Sequence, residues 1–124
     1  MDNIDALMYS IRSAVDRELE KCANDLQKKS LDLAPSASGV LRESCFVEPR
    51  HESEDVRIFV VGYDTTRVTG DNFNYAIIQH EKQMNHPHGG QWKFLEQPYK
   101  ENINDYNNKV DDVVIDRLKR VSIK

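Results

Sequence analysis

The chain has 124 residues, of which 39% are hydrophobic and 31% are charged, and its formal net charge is −4. This length fits a single domain over residues 1–124 with one modest core, and an acidic chain gains no counterion release on phosphates, which argues against nucleic-acid binding. We expect no membrane span, because 18 consecutive apolar residues are lacking, and no secretory signal, because MDNIDALMYS has neither a basic nor an apolar segment.

The first predicted element is a long helix. Apolar or small residues recur at steps of four, three and four residues, a pattern that repeats along the segment: Ile4, Met8, Ile11, Val15, Leu19, Cys22, Leu26, Ser30 and Leu33. This eleven-residue repeat keeps the stripe on one side of a nearly straight helix, predicted over residues 2–33. One small core cannot cover a helix of that length, so we expect part of the stripe to contact another subunit. The alternative is that the whole stripe lies on the chain's own sheet.

Two strands should follow, because Pro35 ends the helix and the segment APSASGVLRES forms a turn. SCFVEPR, residues 44–50, and VRIFVVGY, residues 56–63, are rich in β-branched and aromatic residues. The polar residues 51–55 between them predict an antiparallel hairpin. Pro49 places the first strand at a sheet edge or ends it.

The remaining third of the chain should be mostly helical. Residues 64–72 and 82–91 predict loops, and the apolar run over residues 73–81 is either a third strand or a short helix. A C-terminal helix should begin between residues 94 and 97, because Pro98 is tolerated only in a first turn. Its asparagines predict a kink or break near Asn107 and Asn108.

The predicted fold class is therefore α+β. A long N-terminal helix precedes a small, mostly antiparallel sheet of three to four strands, on which the C-terminal helix packs. The expected core residues are apolar: Ile11, Val15, Leu19, Phe46, Ile58, Val60, Tyr75, Ile77, Phe94, Leu95 and Val110. Tyr75, Trp92 and Phe94 are interpreted as packing residues.

Histidines are the most conspicuous candidates for chemistry. His80, His86 and His88 carry donors that suit zinc or nickel, and a small metal-dependent hydrolase using them is one alternative function. Their spacing lacks the pair of histidines four residues apart found in metalloprotease helices, and a loop positions ligands poorly. We therefore expect no metal, no cofactor and no catalytic residue. Cys22 and Cys45 are interpreted as reduced, partly buried thiols.

Three segments carry a resemblance to a known family. APSASGVLRES, YAIIQHE and KFLEQPYKE occur in the same order, at compatible distances, as segments of the head–tail joining proteins of long-tailed bacteriophages. These are also called tail-completion, minor capsid or neck proteins, and the resemblance spans residues 33–119. The chain departs from the family where Glu81 is followed by a long, histidine-bearing loop instead of a short glycine-led one.

This resemblance implies a structural virion protein without enzymatic activity. It implies a homo-oligomeric ring between the head connector and the tail, typically six-fold in this family. Other connector and tail proteins would be its partners. Packaged DNA would pass through without sequence-specific binding. Location would be the virion neck, and the host cytoplasm during assembly. A tail terminator or another connector ring is the alternative of the same class.

Candidate subunit or partner contacts are charged or histidine side chains of the three predicted loops and the end of the 73–81 run. They are His51, Glu52, Asp55, Asp64, Arg67, Glu81, His86 and His88. Glu81 is interpreted either as a plain charge at the end of a strand or helix or as the partner of an unidentified basic residue across a subunit contact.

Overall fold

Two long helices and a β-hairpin form the frame of the molecule. A computed structural model describes residues 3–35, 39–53, 56–81 and 90–121. The elements in chain order are α1 (Asn3–Leu33), α2 (Val40–Glu43), β1 (Cys45–Ser53), β2 (Val56–Tyr63), α3 (Thr66–Thr69), α4 (Ala76–Glu81) and α5 (Glu96–Val121). The α+β class, the long N-terminal helix and the C-terminal helix are thus confirmed.

Both long helices begin and end close to the predicted positions. α1 stops at Leu33, two residues before the proline that excludes further helix, and α5 starts at Glu96 with Pro98 in its first turn. A break near Asn107 does not occur, since α5 is continuous there. Tyr106 explains this, because its buried ring holds the helix against α1 and outweighs the weak helix preference of asparagine. No helix in the described part of the chain is long and apolar enough to cross a membrane.

The sheet is smaller than predicted. Within the described residues it contains β1 and β2 alone, paired antiparallel from Cys45 opposite Tyr63 to Ser53 opposite Val56. The expectation of three to four strands exceeds this, and the ambiguous run over residues 73–81 forms helix α4 from Ala76 onward. β1 also continues through part of the predicted 51–55 loop, because the ladder persists across an irregularity near its end.

The two long helices lie side by side and antiparallel. The Lys29 ammonium donates to the Asn102 side-chain oxygen at 2.9 Å, and the Tyr106 hydroxyl donates to the Asp25 carboxylate at 2.6 Å. α1 packs against both strands, whereas α5 packs along α1. The predicted packing of the C-terminal helix on the sheet is therefore limited to the side of β2, where Val61 contacts the cluster around Tyr106.

Burial is concentrated in the C-terminal half of α1 and what packs on it. One cluster joins Ala34, Leu41, Tyr63, Ala76 and Phe94, and a second joins Cys22, Leu26 and Tyr106. Phe94 is fully buried, as predicted. Most other expected core residues are half-buried: Ile11, Val15, Leu19, Phe46, Ile58, Val60, Leu95 and Val110.

Two expected core residues are exposed instead. Tyr75 is 44% exposed and Ile77 is 61% exposed, whereas Ala76 between them is buried. The error follows from the unresolved choice between strand and helix for this run. A short helix turns Ala76 toward Phe94 and leaves its two neighbours on the outside.

Candidate functional site

A buried corner lies at the end of α1. Gly39 adopts the left-handed conformation, with φ of 78°, and leads into α2, whose Leu41 is buried. The Arg42 guanidinium donates back to the Leu31 carbonyl, and the Ser44 hydroxyl donates to the Leu41 carbonyl at 2.6 Å. These bonds satisfy carbonyls that a helix end leaves without partners, so the chain reverses direction tightly here.

The start of α4 is fixed by a polar network around Asn74. Its side-chain amide donates to the Tyr63 carbonyl at 2.9 Å, while its oxygen accepts from the backbone N–H groups of Thr65 and Ala76, both at 3.1 Å. The Thr65 hydroxyl accepts from the Tyr75 N–H at 2.8 Å, and Thr65 itself is fully buried. An asparagine that accepts an N–H two residues ahead is a common way to begin a helical turn.

His80 joins α4 to α5. Its carbonyl accepts from the Lys93 N–H at 2.7 Å, its Nε2 accepts from the Glu96 N–H at 3.1 Å, and its ring packs edge-on against Phe94. Because Nε2 is the acceptor, the neutral ring carries its proton on Nδ1, 3.4 Å from a Glu81 carboxylate oxygen. His80 therefore caps the N-terminus of α5, and a metal ion on Nε2 would have to displace that bond.

An ion-pair cluster surrounds this joint. The Lys93 ammonium contacts Glu81 and lies 3.1 Å from Glu96, which Lys100 also contacts at 3.0 Å. Lys93 lowers the pKa of Glu81, and Lys100 together with Lys93 lowers the pKa of Glu96. Glu81 therefore pairs with Lys93 of the same chain, whereas the sequence interpretation placed its partner across a subunit contact. These groups are exposed, so salt screens the pairs and each contributes little to stability.

Exposed aromatic and aliphatic side chains flank the same joint. We call this the corner surface, and it comprises Phe73, Tyr75, Ile77 and Trp92. Phe73 and Tyr75 contact each other edge-to-face at 5.5 Å between ring centroids, and the Lys93 ammonium lies 5.6 Å from the Trp92 ring centre. Clustered exposed apolar side chains are typical of an interaction site.

A second exposed apolar surface lies at the opposite end of α1. We call it the helix-end surface, and it comprises Ile4, Met8 and Tyr9. The pairs Lys29 to Asn102 and Asp25 to Tyr106 fix the antiparallel alignment, which places Val121 opposite Ser10 when it is continued. The first two turns of α1 thus extend beyond the described end of α5, and their apolar stripe is uncovered within the described residues.

The predicted contact residues lie in separate places. His51 and Glu52 are exposed near the tip of the hairpin, and Glu81 lies at the joint described above. Asp55, His86 and His88 lie outside the described residues.

Asp64 and Arg67 contact other residues of the same chain. Arg67 bonds Glu48 at 2.5 Å, lies 3.5 Å from Asp64 and stacks over the Phe46 ring at 3.9 Å. Asp64 also accepts from the Thr66 N–H at 3.1 Å, and Thr66 is the main cause of its lowered pKa. Their local bonds hold α3 against β1.

Features that would support chemistry are sparse in the described residues. Residues 3–35, 39–53, 56–81 and 90–121 contain no group of three histidine, cysteine, aspartate or glutamate side chains placed to hold a metal. His86 and His88 of the hydrolase alternative lie outside those ranges. Burial raises the pKa of the Cys22 and Cys45 thiols, the opposite of the shift that activates a cysteine nucleophile.

The corner surface is the feature that the sequence interpretation missed. Tyr75 and Trp92 were interpreted as packing residues and Ile77 as core. The spacing of four residues between Phe73 and Ile77 is the one available signal, since it is helical and favours a short helix over a third strand. No protein-family model, curated protein or solved structure matches the chain.

Proposed function

We propose that this chain is a structural protein of the neck of a long-tailed bacteriophage. In this role it forms a homo-oligomeric ring between the head connector and the tail, completes the DNA conduit and docks the tail. It performs no catalysis. It acts in the virion, after assembly in the host cytoplasm.

The observation that carries the proposal is the convergence of the three resembling segments. APSASGVLRES contributes Ala34 and Leu41 to one buried cluster, YAIIQHE contributes Ala76, and KFLEQPYKE contributes Phe94. Tyr63, which ends the intervening hairpin, completes the cluster and packs edge-to-face on Phe94 at 5.0 Å. Segments scattered over 60 residues thus resemble the family at positions that one fold brings together, which favours a shared fold over a coincidence of composition.

Polar bonds between the same segments support this further. Lys93 of the third segment pairs with Glu81 of the second, and the Glu96 N–H of the third donates to His80 of the second. Residues of the three resembling segments therefore supply both the buried apolar contacts and the polar bonds of the corner.

Two exposed apolar surfaces at opposite ends of one molecule support the ring. The helix-end surface lies at the start of α1, and the corner surface lies beyond its other end, roughly 45 Å away at 1.5 Å per residue. Different surfaces on one chain allow head-to-tail contacts, and such contacts make a ring when the rotation between subunits closes.

The charge of the chain suits a conduit. Its net charge is −4, and like charges repel the phosphates of DNA. A ring of such subunits would let packaged DNA pass without retaining it.

The test is a stop codon early in this gene of the phage that carries it. The proposal predicts finished heads and finished tails that remain separate under negative-stain electron microscopy, with joining restored by the protein supplied in trans. Normal joined virions would contradict it. Unattached tails of uneven length would favour the tail-terminator alternative, because a terminator caps the tail.

A further inference from the structure

The two edges of the sheet differ in character. Within the described residues β2 pairs with β1 alone, so its other edge has no strand partner. β2 carries the apolar run Ile58, Phe59, Val60 and Val61, whose side chains alternate between both faces. A strand that is apolar on both faces is typical of a position inside a sheet, not of an edge.

β1, in contrast, has the features of a true edge strand. Pro49 lies in the middle of it, and Glu48 and Arg50 flank that proline. Proline and charged side chains are the usual means by which an edge strand avoids pairing with another chain. The free edge of β2 lacks such protection.

A groove lies between β2 and the start of α5. Its cavity of about 450 Å³ is lined by Phe59, Val60 and Val61 of β2 and by Leu95 and Tyr99 at the start of α5. Leu26 of α1, His80 and Glu96 complete the lining, so both long helices bound the cavity together with β2.

The groove continues along α5. A second cavity of about 140 Å³ lies between β2 and both long helices, and its lining includes Phe59 and Val61 of β2, Ile103 and Val110 of α5, and Leu19, Cys22, Ala23 and Leu26 of α1. In the described part of the chain, all strand residues that line these two cavities belong to β2. α5 therefore lies beside α1 on the side of β2, beneath the place that a third strand would occupy.

We propose that an extended segment of another protein binds in this groove as a third strand, antiparallel or parallel to β2. Its backbone would pair with the free N–H and C=O groups of β2, and alternate apolar side chains would face Leu95 and Tyr99. Strand addition of this kind obtains affinity from main-chain bonds and specificity from alternate side chains. β2 has eight residues, which at about 3.3 Å each gives a pairing length of roughly 26 Å.

The groove fits a short segment better than a folded second copy. A second copy that paired through its own β2, with its helices on the same face of the sheet, would place its α1 where α5 already lies. A stable dimer also buries about 1,200–2,000 Å² in total, more than one strand in a groove of this size provides. The occupant is therefore an extended arm or tail with apolar residues at every second position.

This inference goes beyond the neck proposal and does not depend on it. A phage neck would supply the arm from an adjoining head or tail protein, and any other assembly would supply it from its own components. Failure of one proposal leaves the other standing, because one concerns virions and the other a peptide complex.

The test uses a random octapeptide library displayed on a carrier and selected on the immobilised, full-length protein. The inference predicts enriched peptides with apolar residues at alternate positions. A synthetic copy of the best one should slow hydrogen exchange in β2. Enriched peptides with apolar residues three and four apart would overturn the inference, since they indicate a helix, and so would a selection that enriches nothing.

Matched variants locate the binding site. Tyr99 and Tyr75 are 47% and 44% exposed, but only Tyr99 lines the groove. Tyr99→Lys should lower the affinity for the selected peptide by about tenfold or more, because it removes an aromatic anchor from the interface. Tyr75→Lys should change that affinity by less than about twofold. Equal effects of the two would overturn the inference.

A further variant guards against misfolding, and a further measurement identifies a second copy. Tyr99→Thr keeps a neutral side chain at an exposed helix position and should also weaken binding while the melting temperature stays close to that of the wild type. If the protein alone sediments as a dimer that Tyr99→Lys dissociates, a second copy occupies the groove, and the proposed occupant is wrong.

Discussion

The first two turns and the C-terminal half of α1 carry one apolar stripe but have opposite surroundings. In the C-terminal half, Cys22, Leu26 and Ser30 are all buried, and Ser30 is fully so. In the first two turns, Ile4 is 71% exposed and Met8 is 41% exposed. The stripe is continuous in the sequence, so periodicity alone does not distinguish the two parts.

What distinguishes them is the covering. The C-terminal half meets α5, the hairpin and the corner that follows Pro35, whereas the first two turns extend past the described end of α5. A helix stripe longer than its own core is typical of a surface that another molecule covers. We propose that the C-terminal half of α1 stabilises the fold and that its first two turns contact another molecule.

The largest expected effect on stability comes from a substitution in the cluster that packs on the end of the C-terminal half of α1. Phe94→Ala should lower the free energy of unfolding by about 3–5 kcal/mol, because the ring is 0% exposed and its loss leaves a cavity. Urea unfolding monitored by circular dichroism measures this. Phe73→Ala is the control, since that ring belongs to the corner surface and its loss should cost far less. Similar losses for the two would contradict the assigned burial.

A buried hydrogen bond gives the next effect. The hydroxyls of Ser30 and Tyr63 lie 2.7 Å apart, and both residues are buried. Ser30→Ala should lower the free energy of unfolding by about 1–3 kcal/mol, because it removes a partner from the buried Tyr63 hydroxyl. Ser53→Ala, on the exposed end of the hairpin, provides the comparison and should be nearly neutral. A neutral Ser30→Ala would show that the bond is replaced when it is lost.

The bond between Asp25 and its partners should give a smaller, pH-dependent effect. Hydrogen bonds from Lys29 and Tyr106 lower the pKa of Asp25 below its ordinary value of 3.8. The stabilisation is therefore present above that value and is lost as the pH falls through the lower, folded pKa. Asp25 is partly exposed, so Asp25→Asn should cost less than about 1 kcal/mol at neutral pH.

Thermal unfolding at a series of pH values measures this dependence. The wild-type and Asp25→Asn curves should converge in acid, where the wild-type carboxylate is protonated. Asp116→Asn controls for the loss of one surface charge, because Asp116 pairs with Arg120 one turn along the same exposed helix. If the difference in melting temperature between wild type and Asp25→Asn stays constant down to strong acid, the ionised Asp25 carboxylate does not stabilise the fold.

The smallest effect on stability is expected from a substitution in the exposed first turn of α1. Ile4→Asp should change the free energy of unfolding by less than about 0.5 kcal/mol, since the side chain is exposed and an acidic residue suits the first turn of a helix. The same substitution should abolish self-association, measured by sedimentation velocity at increasing concentration. Ala6→Asp places the same charge in the same turn on the opposite face and should associate normally. Loss of association in both variants would indicate a general charge effect.

Much of the frame was predictable because its signals are local. The eleven-residue repeat and Pro35 gave the extent of α1, and Pro98 gave the start of α5. The hairpin followed from two β-rich runs on either side of a polar stretch. Each of these signals depends on neighbours in the sequence, which is why each was accurate to a few residues.

The errors come from contacts between distant residues. The run around Ala76 was too short for periodicity to separate strand from helix, so the sheet was overestimated and Ile77 was assigned to the core. A break at Asn107 was expected from helix propensity, which the packing of Tyr106 outweighs. Hydroxyl pairs such as that of Ser30 and Tyr63 leave no pattern in the sequence.

The candidate site was predictable only in its outline. The resembling segments pointed to the corner, but the corner surface required knowing that α4 is a helix. The partner of Glu81 required knowing that Lys93 returns to the same joint. The groove beside β2 required the position of α5, which depends on its packing against α1.

Complementation shows most directly whether the start of α1 is needed to join heads to tails. Variants of the protein are supplied in trans to a phage whose own copy of this gene carries an early stop codon. The fraction of joined virions is counted by negative-stain electron microscopy. We expect separate heads and tails without the protein, joined virions with wild type or Ala6→Asp, and separate heads and tails with a correctly folded Ile4→Asp. Joined virions in the absence of the protein, or full rescue by Ile4→Asp, would contradict it.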